Sequence, residues 1–428
     1  MMQRRDWLLG SASWAALGGV RAQGLGRRAR VVVVGGGIGG ATAARYLRLW
    51  SDDQLDVVLV DPQAEFVSCP LSNLVLGGFT SLQALSRPVA SLARHGVRCI
   101  QDQVTHIDTD RRLVLLARGD PLRYDRLIVS PGIELAWESV RGLREAHASG
   151  QILQAWKAGA ETLALRRQLE AMPDGGVFAI TIPEAPYRCP PGPYERASVV
   201  AAWLRQARPR AKLLVFDANP DITSKAALFK RVWAERYAGL IEYRPLHKAV
   251  AVEPGAGPGG TVRFELQSPE RADVLNVLPS MRAGAIAHTA GLTGGGGTSG
   301  GRWCPVHYQT FASPLAPQVH VIGDAIQVAP AMPKSGHMAN AHAKVAAAAA
   351  LAELSGQPPD ARPMLTNTCY SHVDGERVIH VASVHRYVAE EQTYRAVPGS
   401  GGVSEGPTTL EARYAWHWAR TLWQDMLG

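Results

Sequence analysis

A chain of 428 residues, 46% hydrophobic and 19% charged, is long enough for two or three domains with large cores. Its net charge of +8 is modest and no basic run is interleaved with aromatics, which argues against nucleic-acid binding and leaves a weak preference for acidic partners or substrates. The cysteines number five, so at least one stays outside any pairing; no Cys-x-x-Cys-His haem motif and no Cys/His group at zinc spacing occurs, so neither haem nor metal is expected on this chain.

The chain opens on Arg4-Arg5-Asp6-Trp7-Leu8-Leu9, continues weakly apolar to Val20, and reaches Val20-Arg21-Ala22. This reads as a twin-arginine signal peptide over residues 1–22, and it makes the periplasm the expected location. Its Arg4, Arg5, Asp6 and Arg21 carry +2 of the net charge. No run of about 18 apolar residues follows, so no transmembrane segment is expected.

Val31–Val34 is a β-branched apolar run of the kind buried on both faces of a parallel sheet. Gly35, Gly37 and Gly40 then give Gly-x-Gly-x-x-Gly, Ala41–Trp50 reads as a helix, and Val57–Val60 is a second strand ending in Asp61. This is a dinucleotide fingerprint. Gly35 permits the tight turn, Gly37 lets backbone approach a pyrophosphate, Gly40 lets helix pack on strand, and Asp61 accepts from a ribose hydroxyl. The helix N-terminus offers free N–H groups to the phosphates. Cys69 stands eight residues past Asp61, a thiol close to the expected nucleotide.

Gly77 to Leu85 reads as a loop and Val89–His95 as a short helix; Val97–Ile100, with Cys99 as a buried apolar residue, Leu113–Leu116 and Leu127–Ser130 read as strands. Trp156–Met172 is amphipathic and helical, Gly176–Ile182 a strand, Ala197–Gln206 a helix and Leu213–Asp217 a strand, making a second βαβ unit. Its turn should be glycine-rich if it held a nicotinamide nucleotide. Between residues 183 and 196 it has one glycine, prolines 186, 190, 191 and 193, and Cys189. Proline offers no N–H and a fixed φ, so no NAD(P) is expected there.

Ala272–Leu278 reads as the return to the first domain, and Gly294–Gly301 as a linker loop. Val319 to Asp324 is a strand ending in Gly323-Asp324, an arrangement that holds the ribityl hydroxyls of FAD. Lys334 follows, beside the expected flavin, where it would stabilise negative charge on the reduced ring. A helix over Asn340–Leu354 would aim its dipole at that ring. A Pro-rich linker leads to a C-terminal region with Cys369, strands around Val378–Val384 and an aromatic helix at Tyr414–Trp423.

With these residues assembled, the chain resembles the flavoprotein subunit of flavocytochrome c sulfide dehydrogenase, together with related flavoproteins of bacterial sulfur-oxidation operons. The anchors are Ser68-Cys69-Pro70-Leu71-Ser72-Asn73, the run from Arg188 to Ala197, Trp303-Cys304-Pro305-Val306, Met332-Pro333-Lys334-Ser335-Gly336, and Asn367-Thr368-Cys369-Tyr370-Ser371. The resemblance implies an α/β fold: an FAD-binding domain (residues 23–135 and 286–355), a second dinucleotide-like domain without a nicotinamide site (136–285), and a C-terminal α+β interface domain (356–428). It also implies FAD bound covalently through Cys69, a redox-active disulfide between Cys189 and Cys369, and a c-type cytochrome partner that carries the haem.

The expected chemistry is thiol–disulfide exchange: hydrosulfide attacks the Cys189–Cys369 bond, and electrons pass to the flavin and then to haem. Glu195 is either an acid/base or substrate-orienting group or a salt-bridge partner of Arg196. The disulfide is either this redox centre or a staple between domains, and Cys304 is a buried free thiol. Three other functions fit the residues: a sulfide:quinone oxidoreductase, a redox accessory protein that reactivates a sulfur-oxidation component, and a flavin-binding scaffold without chemistry.

Overall fold

The computed structural model describes residues 28–294 and 301–428, so the expected export signal and most of the Gly294–Gly301 run lie outside the described residues. The first sheet is built around β1 (Arg30–Val34), whose four valines are all buried. β2 (Asp56–Asp61) and β3 (Arg98–Gln101) lie on one side of it, and β4 (Arg126–Val129) on the other. Between β1 and β2 runs α1 (Ile38–Trp50), which starts before the expected Ala41. A Cβ on Gly40 would fall 1.8 Å from the Gly35 carbonyl oxygen, so only glycine lets the helix sit down on its turn.

Two antiparallel strands, β5 (Ile133–Leu135) and a later partner at Met281–Ala283, carry the chain out of the first domain and back. Between them α2 (Ala160–Ala171), β6 (Val177–Ile182), α3 (Gly192–Ala207), β7 (Lys212–Asp217), α4 (Ala226–Arg236), β8 (Ile241–Arg244) and β9 (Val274–Val277) form the second unit. Its sheet is parallel, in the order β8-β7-β6-β9. Val274–Val277 therefore closes the second sheet, and the return to the first domain comes after it. α3 begins at Gly192 rather than at Ala197: Pro193 sits in its first turn, where a missing N–H costs nothing.

The chain returns through β10 (Met281–Ala283), the partner of β5, and then adds β11 (Ala312–Ser313) and β12 (Ala316–Val321), the last pairing with β4, to give a six-stranded first sheet. α5 (Gly336–Leu354) packs on α1 through a face of buried alanines that allows close approach. Ser335 caps it, its hydroxyl accepting from Met338 N at 3.1 Å. The C-terminal unit is an antiparallel sheet of β13 (Met364–His372), β14 (Val378–Val388), β15 (Thr393–Ala396) and β16 (Gly402–Val403), with α6 (Thr409–Leu427) across it. Asp425 ties α6 to the first domain: it accepts from Tyr46 at 2.5 Å and Asn340 at 2.7 Å, and pairs with Lys344 at 2.8 Å.

Candidate functional site

One cavity of about 960 Å³ runs between the three units. That is the upper end of ligand-pocket size, ~300–1,000 Å³. Its walls include the glycine turn, Asp61, Cys69, Arg188, Cys189, Gly323, Asp324, His337, Cys369, Tyr370 and Trp418.

The nucleotide half follows from β1 and its turn. Gly35 has φ +100°, and a Cβ there would meet the Ser130 carbonyl oxygen at 2.3 Å. Gly37 precedes α1 with no side-chain cap, and a Cβ on it would meet nothing within 4 Å, so its open side faces the cavity. The first N–H groups of α1 are thus free for an anion. Asp61 is held by Gly36 N at 2.5 Å and Gln63 N at 2.7 Å, each oxygen keeping a lone pair for a ribose. Across the cavity, Gly323 (φ +75°) turns the chain into Asp324, whose Oδ1 is buried with no partner among the described residues. Burial raises the Asp324 pKa, against the pull of Arg188 and Lys334. An orphaned carboxylate oxygen opposite an uncapped helix N-terminus fits the ribityl and pyrophosphate groups of FAD.

The sulfur half gathers three cysteines from three segments. Cys69 is half-buried, and its carbonyl accepts from Ser72 Oγ at 2.7 Å. Trp423 Nε1 donates to the adjacent Ser68 hydroxyl at 3.0 Å, so α6 steadies this segment. Cys189 has φ +59°; its N–H donates to the Lys334 carbonyl at 2.8 Å, and its own carbonyl accepts from Gly192 N at 2.9 Å. Cys369 comes from β13. The expected partners therefore reach the same cavity, but as thiols: all five cysteines are free. Burial raises both pKa values; Cys369 raises that of Cys189 further, while Lys225 opposes the rise at Cys369. Cys304 is fully buried, its pKa pushed up to about 12 by burial. Cys99 is half-buried on β3.

Two expected site residues stand elsewhere. Lys334 is buried but does not line the cavity: its ammonium donates to the carbonyls of Asp324 at 2.8 Å and Ile326 at 2.6 Å, and lies 3.6 Å from the Trp303 ring centroid. Burial brings its pKa to about 7. Glu195 sits behind the cavity wall, accepting from Asn73 Nδ2 at 2.8 Å and His372 N at 2.8 Å, and makes no ion pair among the described residues. Arg196 bonds instead to Asn73, Asn276 and the carbonyls of Gln154 and Ala155. Burial raises the Glu195 pKa, opposed by those two hydrogen bonds.

Sequence reasoning passed over several groups. Arg188 lines the cavity and donates to the Trp156 carbonyl; burial lowers its pKa, but the charges of Cys69, Asp324 and Cys189 outweigh this and the net shift is upward. Its place beside Cys189 in the motif was the available signal. Asn73, inside the Cys69 motif, bridges to α3. Lys225, just before α4, is buried and donates to the Cys369 carbonyl and Ser371 Oγ; no local pattern marks it. His337 was not passed over: it follows Gly336 as an unusual residue in the Lys334 motif, lines the cavity, and its Nδ1 accepts from Thr368 N at 2.8 Å, leaving its proton on Nε2.

The second βαβ unit repeats the first in an altered form. Asp217 ends β7 as Asp61 ends β2. It is fully buried, and its oxygens accept from Tyr194 at 2.7 Å, Tyr243 at 3.0 Å, and Asn219 N and Nδ2 at 2.9 and 2.7 Å. Tyr187 and Tyr194, both buried, fill the space beside the Cys189 turn.

Comparison with known proteins gives three family matches. Residues 29–163 match the pyridine nucleotide-disulphide oxidoreductase model. Residues 162–279 match the central part of the sulfide dehydrogenase [flavocytochrome c] flavoprotein chain, and residues 361–427 the flavin-binding part of flavocytochrome c sulphide dehydrogenase. A flavoprotein chain of sulfide dehydrogenase [flavocytochrome c] from Chlorobaculum thiosulfatiphilum is 59% identical over 46 residues, 11% of this chain and 94% of that sequence. Mitochondrial sulfide:quinone oxidoreductase of Mus musculus is 26% identical over 316 residues, 69% of this chain and 65% of that protein. The Dictyostelium discoideum enzyme is 27% identical over 59% of this chain and 56% of its own, so this chain spans under two thirds of either relative. The crystal structure of sulfide:quinone oxidoreductase from Aquifex aeolicus shares the fold, with a TM-score of 0.75 at 18% identity, covering 93% of this chain and 91% of that one.

Proposed function

Because the chain belongs to the flavocytochrome c sulfide dehydrogenase flavoprotein family, we propose that it oxidises sulfide in the periplasm through a Cys189–Cys369 disulfide and FAD, and hands the electrons to a c-type cytochrome. The observation that carries this reading is the arrival of Cys189 and Cys369, from separate units, at one cavity beside Cys69 and Asp324.

Once the two thiols are oxidised to a disulfide, hydrosulfide is a soft nucleophile matched to that bond. Attack on one sulfur forms a persulfide and releases the other as a thiolate. FAD supplies a two-electron acceptor that can be emptied one electron at a time. Cys69 would hold it through a thioether, Asp324 and Asp61 would accept from its ribityl and ribose hydroxyls, and the N-terminus of α1 would take its pyrophosphate. Arg188, facing Cys69, Asp324 and Cys189 together, offsets negative charge that builds up among them. Glu195 and Asn73 act from behind, holding α3 against the Cys69 segment and β13. The occupied carboxylate of Asp217 and the tyrosines beside it support a second domain with no role for NAD(P)H.

For electron exit, α6 presents Trp418 to the cavity and Tyr414, 50% exposed, to solvent one turn away. That arrangement suits an interface anchor for the cytochrome. The similarity to sulfide:quinone oxidoreductases supports a second reading, in which a quinone takes the electrons. Among the described residues no helix is long and apolar enough to cross a membrane. The two readings separate in one experiment. The purified flavoprotein is given sulfide anaerobically, with either a c-type cytochrome or ubiquinone in liposomes as acceptor. Cytochrome reduction is expected; quinone reduction with no response to any cytochrome would establish the second reading.

A further inference from the structure

Lys225 is a buried cation that the chemistry above does not use. It is 9% exposed and adopts φ +59° just before α4. Its ammonium donates to the carbonyl of Cys369 at 3.0 Å and to Ser371 Oγ at 2.9 Å, so the second domain reaches across to the strand that carries one of the two cysteines. Among the described residues, no carboxylate lies within ion-pairing distance of it. The acidic groups in its field are Cys369, Glu195, Cys189 and, from α6, Glu411. Glu195 is committed to Asn73 and the His372 N–H, and Glu411 pairs with His380 at 3.1 Å. A buried ammonium without a counter-ion is costly to keep, and a thiolate formed beside it supplies the missing charge.

We propose that Lys225 makes Cys369 the sulfur that departs when hydrosulfide opens the Cys189–Cys369 bond, so that the incoming sulfur stays on Cys189. This rests on the sulfide-oxidation reading above. The step is HS⁻ + Cys189–S–S–Cys369 → Cys189–S–SH + Cys369–S⁻. The S–S electron pair leaves with Cys369, one S–S bond replaces another, and one negative charge is conserved. A thiolate leaves faster when its conjugate acid is stronger, and Lys225 is the cation anchored on the backbone of Cys369 itself. The competing cation near Cys189 is Arg188, whose charge is shared with Cys69 and Asp324. Lys225 is in this sense a positioning residue, acting through Cys369.

The test uses the full flavoprotein with its FAD. The protein is reduced with dithiothreitol under argon, desalted, treated with iodoacetamide at pH 8 and mapped by peptide mass. In the wild type Cys369 should react about fivefold faster than Cys189 or more, as expected for a stabilised thiolate. Lys225→Met should bring the ratio near one, and Lys225→Arg should restore most of the bias. An unchanged ratio in Lys225→Met, or no Cys369 bias in the wild type, overturns the assignment. If Lys225→Met does not fold, Ser371→Ala, which removes one anchor and keeps the charge, decides instead: a lower ratio supports the role and an unchanged ratio sinks it. A second arm treats oxidised wild-type protein with sulfide in the absence of acceptor, then traps with iodoacetamide. An extra sulfur on the Cys189 peptide supports the proposal, and one on the Cys369 peptide refutes it. The alkylation ratio needs no sulfide turnover. A protein inert to sulfide that still shows the Lys225-dependent ratio therefore refutes the sulfide reading while leaving the electrostatic bias standing.

Discussion

Asn73 joins two units of the protein through one amide: its Nδ2 donates to Glu195 Oε2 at 2.8 Å, while its Oδ1 accepts from Arg196 Nε at 3.0 Å. The side chain is buried, so water cannot replace it. Asn73→Ala should lower stability by ~1–3 kcal/mol, the cost of leaving a buried acceptor and donor unmatched. Denaturant unfolding of the flavin-bearing protein measures this. Stability equal to wild type would mean that Glu195 and Arg196 find other partners.

Cys69 should carry the flavin covalently. Acid precipitation of the wild type should leave the yellow colour in the pellet, and Cys69→Ala should release it to the supernatant. The uncapped N-terminus of α1 and the free Asp324 oxygen remain in that variant, so it should still bind FAD, reversibly. Colour in the wild-type supernatant would show that Cys69 forms no bond.

Cys189→Ser and Cys369→Ser should each abolish sulfide-driven flavin reduction, a loss of at least about a thousandfold if the exchange step is the route to the flavin. Stopped-flow absorbance under anaerobic conditions reads this directly. The visible spectrum of the resting flavin should be nearly unchanged. Near-wild-type reduction in both variants would make the pair a staple. NADH should bleach the flavin in none of these proteins.

Lys334 gives the protein a pH signature. Its folded-state pKa, about 7, lies below the ordinary value of 10.5. Between these two values the unfolded chain binds the proton more fully than the native one, so this group makes stability rise with pH from about 7 towards 10. Below that window both states are protonated, and the penalty for a buried charge is constant. Lys334→Met should remove this rise from a plot of unfolding free energy against pH. A wild-type profile identical to that of the variant would place the Lys334 pKa near its ordinary value.

Tyr414→Ala should raise the KM for the cytochrome by roughly tenfold or more, the scale of losing one aromatic interface anchor. The first half-reaction, flavin reduction by sulfide, should keep its rate, since Tyr414 faces solvent and does not line the cavity. An unaffected KM would move the docking surface away from α6.

The nucleotide half of the site was legible because it is local: the valine run, the glycine spacing and Asp61 lie within one βαβ unit and specify its geometry together. The start of α1 was misjudged because glycine at 39 and 40 argues against helix by propensity, while close packing on Gly35 demands it. α3 began five residues early for a related reason, since prolines that break a helix interior are tolerated in its first turn. The motif around Lys334 says nothing of its contacts: two carbonyls and an indole face hold its ammonium, and all three lie outside the Met332–Gly336 run. Glu195 meets His372 across 177 residues and Lys225 meets Cys369 across 144, contacts that no periodicity or motif encodes. Arg188 was visible in its motif, but its contact with Cys69 exists only once the two domains close on each other.

The cavity has a consequence for how the protein is made. Its walls run from Gly36 to Trp418, and α6 steadies the Cys69 segment through Trp423 and clamps α1 and α5 through Asp425. A nascent chain that ends before Trp418 can complete its first sheet, yet it lacks one wall of the pocket and the strap that holds it shut. Domains emerging from the ribosome fold in order from the N-terminal side. The pocket is therefore complete only after translation has passed α6, and truncations that remove this helix should hold flavin less tightly than the full chain.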